Sequence, residues 1–465
     1  MGNISINQEV GREKELNGQD FNWEQESYRL GCEIARKEAL QRLREMDDRL
    51  FACHPPSWEA KDFNERTLAT RFGELTVNRR LYQDEKGAYH YLLDEYLGWT
   101  SKQLATPSLQ ESLVELATEK SFNQVSKTLS NLTAAVLSTS TIHRLLQKTA
   151  KRAIEKEKAD CQAIFERGEL PSGGKRKSPI LFSEYDGIWI HLQREAQEQY
   201  ELKNGIAYEG WRKLPGKGER YSLINKKVYS HSCDGIPFWE GASLEWSRHW
   251  DLSSLNRIVI GGDGASWIDG GIGEFAGSIR QLDGFHLARA CGRGWQEGGA
   301  LYQAIRAGET ELARRFMHKL IPREGVGTCK ARKYVERNLE KGRDWRTQIK
   351  LESIEGRGMG TMESNEDKLV ANRMKKKGLS WTISGAYRMH KAIQLAANSE
   401  IKLFCRRQKS AKKKEIAITP VVSKSRSNGH QKWLEASVPA LSGPHASRLW
   451  VEKLRNMVYP SYPVN

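Results

Sequence analysis

Three carboxylates in separate stretches of the chain have surroundings that suit them to hold a cation. In ILFSEYDGIWIHL, strand alternation puts Ile180, Phe182, Glu184, Asp186, Ile188 and Ile190 on one face, so two acids share an otherwise apolar side. A carboxylate buried there without a partner either protonates or finds a base, a cap or a metal. Asp186 beside Gly187 could instead mark a bulge, and Glu184 could sit at an edge. RIVIGGDGASWI reads as a short apolar strand with Asp263 at its exit, where α/β folds set reactive side chains. Asp263 or Ser266 could equally cap the helix that follows. The third acid lies in GRGMGTMESNEDKLVANRMKKKGLSWT. Helical spacing gives Glu363, Asp367, Val370 and Met374 one face and Lys368, Asn372, Lys375 and Lys376 another, with acid toward the core and base outward. Ser364 and Asp367 could form a capping box that leaves Glu363 just ahead of the helix, and Gly378 is a stop signal.

Carboxylates on separate elements that hold two Mg²⁺ ions, or Mn²⁺ in their stead, can activate a water or a 3′-hydroxyl on one side of a phosphate. The same ions stabilise the leaving oxygen on the other side. Asp186, Asp263 and Glu363 would suffice for this. The seven cysteines are scattered without a CxxC pair, which argues against a disulfide framework and makes zinc the poorer metal. Arg373, Lys375, Lys376 and Lys377 follow the acids directly and could bind a polyanion along the helix; a merely solvated basic face has the same composition.

The elements needed to bring these residues together exceed one core. A chain of 465 residues implies several domains, and 74 basic against 58 acidic residues give a net charge of +16, which points to a phosphate-rich partner. No apolar run is long enough to span a membrane and the polar start has no signal-peptide core, so a cytoplasmic protein is expected. Residues 1–60 read as an N-terminal helical arm, and 61–99 as a small antiparallel β unit turning at Asp84 to Gly87 and ending near Gly98. Three helices are expected over 100–170. The last two could form a helix-turn-helix whose recognition helix presents Thr141, His143, Arg144 and Lys148 to DNA, although a plain bundle has the same periodicity. PSGGKRKS is a linker. An α/β domain follows over 178–398, with a helical insertion at about 292–350, and 399–465 reads as a basic linker and tail.

The motifs FSEYDGIWI, TRFGELTVNRRLY, LLDEYLGW, IGGDGASWI, LDGFHLARA and MESNEDKLVANRMKKKGLSW occur in an order that resembles the DDE transposases of bacterial insertion sequences, specifically the ISLre-two family, related in pattern to Mutator-like elements. The resemblance covers roughly residues 25 to 400. It implies an RNase H-like catalytic domain, Asp186, Asp263 and Glu363 as its acidic triad, and a helical insertion in the long gap between the last two. It also implies double-stranded DNA at element ends and in the target as substrate, a homodimer or larger synaptic assembly, and a location at the bacterial nucleoid. Asp283 and His286 match the Asp/Cys-x-x-His motif that related transposases carry after the second aspartate. His286 could contact the scissile phosphate or be structural, and Trp381 could stack on a base or pack in the core. An RNase H-like nuclease without strand transfer and a domesticated, non-catalytic DNA-binding protein are the alternatives.

Overall fold

The computed structural model describes residues 22–406 apart from 101, 170–172, 217–218, 276, 350–355 and 377; the first part of the expected arm, Lys377 and the tail beyond 406 lie outside the described residues. The chain divides into two compact units, one comprising residues up to Leu109 with Asn123–Thr139, the other Gln110–Phe122 with everything from Ser140 onward.

In the first unit, Asn22 caps α1 (Trp23–Ala52) by accepting the Gln25 amide. An antiparallel hairpin of β1 (Glu59–Thr70) and β2 (Gly73–Gln83) follows, and β3 (Tyr89–His90) adds to it. Leu40, Leu43, Met46 and Leu50 of α1 pack on Leu68, Leu75 and Val77 of the hairpin. The sequence reading carried a small antiparallel β unit on to about Gly98, but its last stretch, LLDEYL, forms α2 (Leu92–Leu97), ended by Gly98 at φ +68°. The helix turns Leu93 into the core and lets buried Asp94 pair with Arg66 and Arg79 from the hairpin. Next come α3 (Pro107–Glu119), α4 (Phe122–Leu132) and α5 (Thr139–Cys161). The division between units falls between α4 and α5, the two helices expected to form a helix-turn-helix.

The second unit is mixed α/β. In chain order its strands and helices begin with β4 (Ile180–Leu192), β5 (Gln199–Tyr208), β6 (Trp211–Lys213), β7 (Tyr221–Leu223), β8 (Lys227–Ser230), α6 (Phe238–His249), β9 (Arg257–Gly262), α7 (Ser266–Asp269) and β10 (Ser278–Leu282). They continue with α8 (Gly284–Gly294), α9 (Gly298–Ala307), α10 (Thr310–Lys319), α11 (Thr328–Arg337), α12 (Met362–Glu366), α13 (Asn372–Met374), β11 (Ser380–Trp381), α14 (Ile383–Ala397) and α15 (Ile401–Cys405). Six strands make one mixed sheet in the order β10-β9-β4-β5-β8, with β11 alongside β4. The run β4, β5, β8 alternates in direction, while β9 and β10 are parallel to β4.

Both faces of the sheet are covered, which is why β4 carries apolar residues on either side. Leu181, Tyr185, Ile258 and Ile260 face a cluster built on Trp239, Trp246 and Trp250. Ile180, Phe182, Val259 and Tyr208 face Trp211, Trp345 and Met362. Helices α8 to α11 bury a core of their own from Leu287, Trp295, Leu301, Ile305 and Val335, and so form a helical block inserted after β10.

Candidate active site

Sheet register sets the aspartates side by side. Tyr185 is paired with Gly262 on β9, and Leu282 of β10 with Gly262 from the other side. Asp186, Asp263 and Asp283 are the next residues on three adjacent strands running in one direction, neighbours separated by about 4.8 Å between strands. All three line one cavity together with Glu184, His286, Gly360 and Glu363. This is the carboxyl end of parallel strands, where α/β sheets bind ligands.

Each aspartate is fixed locally. Asp186 Oδ1 accepts its neighbour Gly187's amide at 2.7 Å, and Asp263 Oδ1 accepts the Ala265 amide at 2.9 Å. The Tyr334 hydroxyl, from the helical block, donates to the Asp263 carbonyl at 2.6 Å. Gly264 takes φ +96°, with Asn338 so close that a Cβ there would lie 3.0 Å from its side-chain oxygen. The insertion therefore buttresses the loop that carries Asp263.

Glu184 is not exposed at an edge. It is 3% exposed, and its Oε2 accepts the amides of Gly360, Thr361 and Met362 at 2.9, 2.7 and 3.1 Å. Its Oε1 accepts the hydroxyls of Tyr208 and Thr361 at 2.6 and 2.7 Å. A buried anion thus holds the amide-rich start of α12 against β4. Glu184 is an anchor rather than a ligand, and it carries the third acid to the aspartates.

That third position holds two glutamates. Glu363 lines the cavity and is exposed, whereas Glu366 hydrogen-bonds Asp186 through its side chain. Burial, followed by the bond to Asp186 and that residue's charge, pushes Glu366 up to about 8. Asp186 is also raised, first by burial and further by the charge of Asp263, against the opposing bonds from Glu366 and Gly187. Glu201 of β5 joins the group: burial raises its carboxyl, as do the charges of Asp263 and Asp186, with Lys203 opposing. Gly187 makes room for it, since a Cβ there would fall 2.1 Å from a Glu201 oxygen.

The basic member of the cluster is His286. Its ring Nδ1 lies 3.0 Å from Asp283 Oδ1, the atom that also accepts the His286 amide and caps α8. The hydrogen bond to Asp283 raises His286 against the effect of partial burial, and the charges of Asp283, Asp263 and Asp186 add to the rise. Burial alone would raise Asp283, but its bonds to His286 outweigh that and lower it.

Hard carboxylate oxygens fit Mg²⁺ or Mn²⁺, and the donors come from β4, β9 and α12. Among the described residues, a group whose ligand atoms all lie within 4.8 Å of one another occurs elsewhere, at Glu245, His249 and Glu400. There Glu245 is already satisfied by Arg248, His249 and Asn398 at 3.1, 3.1 and 2.8 Å, which marks a buried ion-pair network. Asp186, Asp263 and Glu363 line one cavity but do not form a group of that closeness among the described residues.

The basic residues fall into separate settings. Lys368, Lys375 and Lys376 are exposed, and Lys376 pairs with Asp367 at 2.5 Å. Arg373, expected with the lysines to bind a polyanion, is 3% exposed. A π-helical turn over Asp367–Ala371 precedes it, and Val370, Ala371, Arg373 and Met374 are all buried there. Arg144 on α5 is exposed, Lys148 half-buried, and Trp381 donates its indole N–H to the Met374 carbonyl at 2.9 Å. Sequence reasoning did not find Glu201 or Tyr334. The small Gly187 opposite an acidic β5 was the available sign of the first, and no local pattern marks the second.

The sequence pattern of the uncharacterised protein family UPF0236 matches residues 29–403, and the chain belongs to that family. It is 26% identical over 405 residues to the UPF0236 protein in the vanSb 3′ region of Streptococcus gallolyticus, covering 83% of this chain and 85% of that protein. A UPF0236 protein of Caldanaerobacter subterraneus subsp. tengcongensis is 24% identical over 385 residues, covering 78% and 75%. Another from the same organism, whose name joins a series of locus designations, is 22% identical over 380 residues, covering 78% and 74%.

Proposed function

We propose that this protein is a DDE-type transposase that binds the ends of an insertion sequence, cleaves DNA there, and joins the freed 3′-hydroxyl to target DNA. The observation that carries this is the row of Asp186 and Asp263 at the ends of adjacent parallel strands, with an acidic helix clamped beside them by Glu184. The strand order and directions, three antiparallel strands followed by two parallel to the first, support reading this unit as RNase H-like, with the helical block as an insertion. The repeated locus designations within one relative's name are consistent with a mobile element that leaves copies of itself.

Bound Mg²⁺ or Mn²⁺ would polarise the scissile phosphate and lower the pKa of the attacking water or hydroxyl. Asp186 and Asp263 would hold the ions, with Glu366 or Glu363 as the third ligand. His286, whose imidazole Asp283 biases toward the charged form, faces the same cavity and would contact a non-bridging phosphate oxygen. Exposed Lys368 and Lys375 lie next along the chain to receive the backbone. Incubating the protein with precleaved element ends separates this activity from that of a simple nuclease: joining to a target plasmid supports the transposase, and hydrolysis without joining contradicts it.

A further inference from the structure

A second cavity in the α/β unit, about 270 Å³ in volume, has no carboxylate in its lining. Its wall includes Arg373, whose Nε donates to the Ala117 carbonyl at 2.8 Å. Among the described residues no acid pairs with this guanidinium, although the residue is only 3% exposed. Instead it lies between two rings, 5.3 Å from the centre of Phe122 and 5.5 Å from that of Trp381. Burial without a counter-charge pushes Arg373 down to about 10. An isolated buried cation is costly and generally signals a missing anion.

The remaining lining has the same polarity. His143 stands edge-on to Phe122 at 5.1 Å, and Gln147 accepts from Arg388, a second cation near His143. Thr382 caps α14, so the positive end of a 15-residue helix reaches the cavity. The acid at that end is exposed Glu195, which takes the Ile383 amide at 3.1 Å. Phe122 and Trp381 leave apolar walls on either side of the charge, suited to a sugar.

The cavity is tied to the acids by two continuous elements. Arg373 follows Glu366 by two helical turns, about 10 Å. β11, which carries Ser380 and Trp381, pairs with His191 and Leu192 at the far end of β4, about 17 Å along the strand from Asp186. We propose that this cavity is a phosphate site, filled by a backbone phosphate of the DNA strand that also reaches the carboxylates, a few nucleotides from the phosphate there. The assignment of the strand rests on the function proposed above; the anion site itself does not.

The test uses the full-length protein without divalent ions, at constant ionic strength in chloride, titrated calorimetrically with inorganic phosphate. Ser380 lies exposed on the rim, so Ser380→Asp adds a charge without disturbing the core, and Ser380→Asn is its neutral control. The parent and Ser380→Asn should bind one phosphate per chain at this site, and Ser380→Asp should bind at least about tenfold more weakly. Arg373→Met should lose the site as well; should it fail to fold, the Ser380 pair still decides. A short single-stranded deoxyoligonucleotide should displace the phosphate from the parent. Equal phosphate affinity in the parent and Ser380→Asp overturns the pocket, and failure of the oligonucleotide to compete overturns its use by a strand. Asp263→Asn, assayed separately for cleavage, reports on the carboxylate site and leaves phosphate binding here unchanged.

Discussion

At the scale of single residues, the acids near the cavity divide into anchors and ligands. Glu184 accepts five hydrogen bonds and should behave as structure. Glu184→Gln turns an amide group toward backbone N–H donors, and charge-assisted bonds of this type contribute about 1.5–3 kcal/mol each. A loss of roughly 3 kcal/mol or more in urea denaturation is expected; a stability equal to the parent would contradict the anchoring role. Glu366 should behave in the opposite way. With a folded pKa of about 8 against an ordinary 4.5, the folded protein keeps a proton across that interval that the unfolded chain releases. Stability of the metal-free protein therefore falls as pH rises from 4.5 to about 8. Glu366→Gln should raise the melting temperature at the upper end of this interval in EDTA and leave it unchanged below the lower end. A gain independent of pH would exclude the shared proton. For His286 the sign is that of a raised base: its ion pair with Asp283 contributes fully below the ordinary imidazole value of 6.5 and is lost as pH rises through the higher folded value. His286→Asn should flatten the stability profile just above pH 6.5.

At the scale of elements, the two aspartates were legible because each ends or interrupts an apolar strand, and parallel register then makes them neighbours. The helical block was legible as a return of helical periodicity between strands. The third acid was less so. Glu363 and Glu366, three residues apart, share one side of the helix, and Glu184 holds the start of α12 so that this side meets Asp186, while a π turn interrupts the winding ahead of buried Arg373. Neither cause has a local sequence signature, since one partner lies on another element and the other is an irregularity in backbone winding. LLDEYL was misread because burial of Asp94 between two arginines is a tertiary contact, invisible to alternation. The element-scale prediction is a comparison of Glu363→Gln with Glu366→Gln: the variant of the true third ligand should lose cleavage by about two orders of magnitude or more, with DNA binding kept. A gel-shift run beside a cleavage assay separates the two, and equal activity in both variants would remove α12 from the chemistry.

At the scale of the whole molecule, a charge of +16 suits a partner that releases counterions. Lys375 and Lys376 follow the acidic helix, yet Lys376 already pairs with Asp367, which lowers its expected share. Substituting Lys375, Lys376 and Lys377 together by Gln should weaken binding evenly across sequences. It should also reduce the log–log salt slope by about 0.9 for each phosphate that is no longer neutralised. An unchanged slope would assign these lysines to a solvated face. No helix among the described residues is long and apolar enough to cross a membrane.

Metal-dependent phosphoryl transfer on DNA by the strand-end carboxylates is open to a decisive assay. The purified protein and its Asp263→Asn variant are incubated with DNA spanning the boundary of the gene's flanking sequence and a target plasmid, in Mg²⁺, in Mn²⁺ and in EDTA. The parent alone should cleave at the boundary and join the exposed 3′-hydroxyl to the plasmid, and only with the metals, while both proteins shift the DNA equally in a gel. Cleavage that persists in EDTA or in Asp263→Asn, or no cleavage by a parent that binds the DNA, would rule this chemistry out.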